Sequence, residues 1–244
     1  MRVLFTCLLL FSVTTASVAQ RDFQSAFNDS NRPMRENLRI PFSDGAGNSG
    51  HVPVSILKGK KEGPVFTIVA GVHGFEYPPI VATQALLKEI DLELLSGTIV
   101  VVPLASMEAF YTRTPYKNPQ DQKNLNNAFP GKSDGTITER QAHFITTNII
   151  PVSDVFLDIH GGDAPEDLLP FVCYYNNTKK PTQTALAKQL SENSGFQYVV
   201  SYPYTITDTE PAKYAFKQAV QNGKTALSLE AGKLGNVQEE NVAL

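Results

Sequence analysis

Two metal-capable side chains, His73 and Glu76, stand three residues apart in GVHGFE, directly after the apolar run PVFTIVA. A third, His160, closes the run DVFLDIH ahead of two glycines, and a further carboxylate, Glu230, closes KTALSLE ahead of Ala231 and Gly232. Two imidazoles and one carboxylate, with a fourth position open, form the ligand set of a catalytic zinc. His73, Glu76 and His160 are therefore candidate metal ligands, with one Zn2+ per chain as the expected cofactor. Taken singly, the H-x-x-E spacing is a weak signal: His73 also reads as a turn histidine, and Glu76 as a carboxylate favoured by a helix N-terminus. Position strengthens it, because ligands of an open α/β sheet gather at the carboxyl ends of the strands, and all three segments sit where a strand should stop. Gly71 and Gly74 free the backbone to bend there. Asp158 lies two residues before His160, hence on the same strand face, where it could orient that imidazole or serve as a capping aspartate.

These residues need a frame to bring them together. HVPVSILKG alternates like a strand, and PVFTIVAG is a compact β-branched run suited to a buried parallel strand. PPIVATQALLKEIDLELL has the apolar spacing of an amphipathic helix with Pro79 in its first turn. The strand GTIVVVPLA follows. Then come about thirty mostly polar residues, 106–136, a length that marks a functional or disordered loop. Beyond it the chain alternates: helix TERQAHFITTNII, strands DVFLDIH and PFVCYYN, helix PTQTALAKQLSENSG, strand YVVSYP, helix EPAKYAFKQAVQNG and strand KTALSLEAG. Residues 21–39 read as a polar lead-in. Strands alternating with helices predict an α/β fold, a three-layer αβα domain around a mixed, mainly parallel sheet.

Four segments between Gly71 and Gly232 resemble the succinylglutamate desuccinylase/aspartoacylase family of the zinc carboxypeptidase superfamily. GVHGFE resembles its G-x-H-G-x-E element and LDIHGG the element with the second ligand histidine. DQKNLNNAFPG is similar to its N-L-N-R-x-F-P-G loop, and SLEAG to the strand end bearing its catalytic glutamate. The resemblance implies a zinc carboxypeptidase-like fold, zinc on His73, Glu76 and His160, and Glu230 as the base that takes a proton from the attacking water and returns it to the leaving amine. It further implies Arg113, in FYTRTPY, beside the developing oxyanion, and Asn126 and Asn127 as substrate-binding residues. The expected activity is deacylation, the hydrolysis of the amide of an N-acyl amino acid or related small acylated amine. The alternatives are a zinc carboxypeptidase acting on peptides and an inactive metal-binding member of the fold. Asn127 stands where the family carries an arginine for a substrate carboxylate, and asparagine brings no charge. That counts against a carboxypeptidase, which needs a fixed cation for the terminal carboxylate; Arg140 and Lys123 are candidates to replace the charge. An inactive member would have little reason to keep Glu230. The chain stops at GNVQEENVAL, soon after Glu230, where family members continue, so the expected domain spans residues 20–244 with its C-terminal part truncated.

The whole-chain properties fit an exported enzyme. A net charge of −3, with no basic cluster, argues against a nucleic acid partner. Residues 1–19 run from Arg2 through an apolar stretch to the small residues Ala16–Ala19, the pattern of a secretory signal peptide cleaved before Gln20, which would leave no membrane anchor and a periplasmic or secreted protein. Cleavage would also leave Cys173 as the lone cysteine; its apolar setting, LLPFVCYYN, suits a buried thiol better than a nucleophile.

Overall fold

The computed structural model describes residues 21–244; the expected signal segment lies outside the described residues. Eight strands form one sheet: β1 Met34–Ser43, β2 Ser49–Lys58, β3 Lys61–Ala70, β4 Ser96–Val102, β5 Val155–His160, β6 Phe171–Asn176, β7 Val199–Pro203 and β8 Thr225–Glu230. Their order is β1-β2-β4-β3-β5-β8-β6-β7. The centre, β4-β3-β5-β8, is parallel, and β6 and β7 are parallel to each other; β1, β2 and the β6–β8 junction supply the antiparallel pairs. The β-branched composition of β3 and β4 follows from this placement, since a central parallel strand is covered on both faces.

The helices are α1 Phe23–Phe27, α2 Tyr77–Glu89, α3 Met107–Thr112, α4 Ile137–Phe144, α5 Ile150–Val152, α6 Pro181–Glu192, α7 Ala215–Gln221 and α8 Glu239–Val242. The larger core gathers Val69, Val100, Phe156, Phe144, Ile145 and Phe216 on the face covered by α4 and α7. The opposite face packs Leu57, Ile68 and Val101 under Leu87 and Ile90 at the end of α2. Helices on both faces make the three-layer αβα arrangement anticipated from the alternation of elements. Among the described residues, no helix is long and apolar enough to cross a membrane.

Three elements depart from the sequence expectation. The polar lead-in contains α1 and all but the end of β1, because β1 is an edge strand in which only Leu38 is fully buried. An edge strand solvated along most of its length hides its period under charged residues. α2 stops at Glu89, where Asp91 accepts the Glu93 N–H at 2.8 Å and turns the chain. The long segment 106–136 is structured: it carries α3 and a 3-10 turn at Leu125–Asn127. Its end is fixed by a capping box, in which the Thr136 N–H donates to Glu139 at 2.9 Å.

Candidate active site

β3, β5 and β8 end side by side, and their last residues are neighbours: Ala70 pairs with Ile159, and His160 with Glu230. Beyond β3 the backbone turns at Gly71 with φ 64°, a left-handed conformation that favours glycine. At Gly74 a Cβ would lie 2.2 Å from the backbone N of Phe110, so only glycine lets α3 close on this turn. The turn carries His73 and Glu76 to one point. Glu76 occupies the N-cap of α2 yet makes no capping bond. Its Oε1 lies 2.6 Å from His73 Nδ1 and its Oε2 lies 3.1 Å from His160 Nδ1. The carboxylate thus bridges two imidazoles and does not cap the helix end beneath it, an arrangement that could hold a metal ion.

The far nitrogen of each ring is also held. His73 Nε2 is 3.0 Å from Asn124 Oδ1 and His160 Nε2 is 3.2 Å from Asp158 Oδ1. The first is a hydrogen bond. The second is a charge contact, because Asp158 Oδ1 has no aligned donor, while Asp158 Oδ2 accepts the Phe216 N–H at 3.3 Å. Asn124 places a proton on His73 Nε2, whereas an Nδ1 facing the acceptor-only Glu76 carboxylate donates to it when protonated and would release that proton to bind a metal. Asn124 Oδ1 also accepts the Asn126 N–H at 2.7 Å, so the NLNN loop and the His73 ring are fixed by one atom.

His73, Glu76 and His160 are all buried, and their donor atoms lie within 4.8 Å of one another. Burial opposes charge on each, but His160 and His73 against its two oxygens hold the Glu76 carboxyl at about 2. Against the same burial, Asp158 and Glu76 raise His160 well above its ordinary value, and Glu76 raises His73. A buried cluster that gathers protons in this way favours positive charge, and two imidazoles with a carboxylate are a donor set that a zinc ion fits.

Glu230 is half-buried as a residue, yet its Oε2 is closed off without a hydrogen-bond partner. Burial, with Glu76 and Asp158 adding to it, pushes this carboxyl up to about 8. It lines a pocket of about 330 Å³ together with His160 and Asn126, whose Oδ1 is likewise buried and unpartnered. Asn127 is exposed and outside the pocket. Arg113 is also exposed; it ends α3 at φ 52° and lines a separate hollow with Tyr77, Phe110 and Val237. Neither candidate for the missing cation lines the pocket: Lys123 pairs with Glu139 at 3.0 Å, and Arg140 Nε donates to the Gly135 carbonyl at 2.8 Å. Cys173 is buried and unpaired, its thiol pushed up by burial to about 12, which makes it inert as a nucleophile.

Two features escaped the sequence reading. One is Asn124, whose Oδ1 meets both His73 Nε2 and the Asn126 N–H. The other is the aromatic wall of the pocket. Its signal lies in FVCYYN, where Phe171, Cys173 and Tyr175 alternate onto one strand face, but the partner strands that make that face a pocket lie further along the chain, Tyr202 27 residues beyond its partner Tyr175 and Glu230 59 beyond Phe171.

A family model described as the succinylglutamate desuccinylase/aspartoacylase catalytic domain matches residues 62–243. The chain is 32% identical, over 85% of its length, to the N-alpha-acetyl-L-2,4-diaminobutyric acid deacetylase of Halomonas elongata, of which it covers 59%. It is similar to the product-bound ectoine utilization protein EutE (DoeB) from Ruegeria pomeroyi, with a TM-score of 0.73 and 27% identity over 86% of this chain and 62% of that one. A metallo-carboxypeptidase from Pseudomonas aeruginosa shares the fold, with a TM-score of 0.64 and 16% identity over 81% of this chain and 55% of that one. The chain thus spans about three fifths of the length of these relatives.

Proposed function

Because the chain belongs to the succinylglutamate desuccinylase/aspartoacylase family, we propose that it is a zinc-dependent deacylase that hydrolyses the amide of an N-acyl amino acid or a related small acylated amine. The observation that carries this reading is the convergence of His73, Glu76 and His160 on one point, with the unpartnered Oε2 of Glu230 in the adjoining pocket. The similarity to a deacetylase of an acylated amino acid supports the substrate class.

In this mechanism His73, His160 and the Glu76 carboxylate would hold the metal. When bound, zinc supplies Lewis acidity, which sharpens both the carbonyl electrophile and the attacking water. Glu230 Oε2 accepts the proton of that water and returns it to the nitrogen that leaves. An enclosed carboxylate oxygen with no other hydrogen-bond partner is placed to take a proton and hand it on. Asn124 holds the His73 ring through Nε2, and the Asp158 charge stands beside Nε2 of His160. Asn126, with a free Oδ1 in the pocket, accepts a hydrogen bond from the substrate amide. Arg113 is proposed as the oxyanion partner on the strength of its motif. Asn127, uncharged and exposed, makes recognition of a carboxylate through this loop position weak, which sets the deacylase reading above the carboxypeptidase one. On the pattern of residues 1–19, we also propose that the protein is exported to the periplasm or beyond.

Elemental analysis joined to turnover tests this reading. The parent protein should hold about one zinc per chain, as three protein donors with an open position predict, and release free amine from N-acetyl amino acids. His160→Ala should lose the metal, and Glu230→Gln should keep it while losing turnover. A folded parent protein without stoichiometric metal would sink the proposal.

A further inference from the structure

We propose that the pocket beside Glu230 receives an uncharged aromatic group, so that the amide cleaved carries an aryl substituent on the side of the scissile bond that enters it. The reaction itself rests on the deacylase reading; the substituent rests on the pocket.

The floor of the pocket is a patch of sheet. Register pairs Phe171 with Glu230, Cys173 with Ser228, and Tyr175 with Tyr202. Directly opposed residues of neighbouring strands emerge on the same face. The surface that begins at the proposed base therefore continues without interruption into aromatic side chains. Tyr214 and Phe216, at the start of α7, close another side, and Phe216 stacks on Tyr175 at 4.8 Å with an interplanar angle of 25°. The inner part is buried, with Ser228 at 3% and Tyr175 at 8% exposure, whereas Tyr202 and Tyr214 keep 39% and 36% of their surface open. Two tyrosines held partly in solvent at the edge of a pocket that contains an unpartnered carboxylate form a binding rim, because a ligand would remove their remaining surface from water.

Charge decides what can enter. No lysine or arginine lines the pocket. A substituent bearing a carboxylate would be desolvated beside the Glu230 carboxylate; of the cationic groups nearby, His160 is taken up by the proposed metal site, and Lys217 lies over the tyrosine rings and is not among the lining residues. A cationic substituent fares no better, since the Lys217 ammonium already lies 5.3 Å from the Tyr175 ring centre and 5.9 Å from that of Tyr214. A planar, neutral group meets neither objection and gains ring contacts. The volume of about 330 Å³ accommodates a phenyl or an indole and is too small for a longer peptide.

The test uses the zinc-loaded protein and two matched series. On the acyl side these are N-acetyl-, N-benzoyl- and N-succinyl-alanine; on the amine side, N-acetyl-alanine, N-acetyl-phenylalanine and N-acetyl-aspartate. In one series the aryl member should exceed the acidic member in kcat/KM by about tenfold or more, and Tyr202→Ala and Tyr214→Ala should each shrink that ratio about three- to tenfold, the worth of a lost aromatic contact. The series that shows the preference assigns the pocket to the acyl or the amine side. A preference for the acidic members, or an aryl preference that survives both substitutions, overturns the proposal. If no amide is turned over, the deacylase reading fails on its own account, and calorimetry with benzamide and succinate then decides the pocket. Benzamide binding weakened by Tyr202→Ala sustains the proposal; succinate binding without benzamide binding overturns it.

Discussion

Replacing Glu230 by glutamine should change how the metal-free protein responds to pH, and the size of the change follows from its burial. In the folded chain the Glu230 carboxyl stands at about 8, against an ordinary 4.5. Its pKa is raised on folding, so the folded chain holds a proton that the unfolded chain has already released. The protonated carboxyl costs nothing below the unfolded value, and stability is lost as pH rises from about 4.5 toward 8. At about 1.4 kcal/mol per pH unit, full ionisation costs the fold roughly 5 kcal/mol, of which about 3 to 4 kcal/mol accrues between pH 5 and pH 8. Glutamine cannot ionise and escapes this loss. Urea denaturation of the metal-free parent and of Glu230→Gln at both pH values gives the difference in unfolding free energy, which should grow in favour of the variant by about 3 to 4 kcal/mol. Any constant effect of the substitution cancels in this comparison. Excess zinc should shrink the growth, because a dication beside the carboxylate offsets its desolvation. A difference that stays flat within about 0.5 kcal/mol would refute the claim that Glu230 is an enclosed, strained carboxyl.

The remaining expectations are smaller in scope. Asn124→Ala should weaken zinc binding about ten- to a hundredfold in chelator competition, whereas Asn124→Asp, which keeps an acceptor for His73 Nε2, should stay close to the parent; equal affinities in all three would remove Asn124 from the site. Gly74→Ala should drive α3 off the turn that carries His73 and Glu76, since the new Cβ would lie 2.2 Å from the Phe110 N, and should lower the melting temperature by several degrees together with the proposed zinc affinity; an unchanged melt would show that the turn tolerates a side chain. Arg113→Ala should lower kcat more than it raises KM if this residue reaches the oxyanion, and an unchanged kcat would leave Arg113 as the surface residue its exposure suggests.

What the sequence determined by itself is local and periodic. The β-branched runs of β3 and β4, the alternation of strands with helices, and the chemistry-bearing residues at the ends of β3, β5 and β8 are written in short segments whose period or punctuation survives any context. The convergence of the candidate trio was legible for the same reason: His73 and Glu76 share one turn, His160 ends a strand, and an open α/β sheet collects its strand ends. Tertiary structure decided what depends on neighbours. β1 reads as polar because it lies at the edge, and its strand character comes from its pairing with β2. Asn124 becomes a partner of His73 only because a loop 51 residues further on folds back over the turn. The position of Glu76 allowed a helix cap or a metal ligand, and only the tertiary structure brings His160 within 3.1 Å of its carboxylate. Phe171, Tyr175 and Tyr202 looked like ordinary strand residues until the order β5-β8-β6-β7 set their face beside Glu230. Periodicity fixes which side a residue faces, while only the packing of distant strands fixes what it faces, and the selectivity proposed for this protein is a property of the second kind.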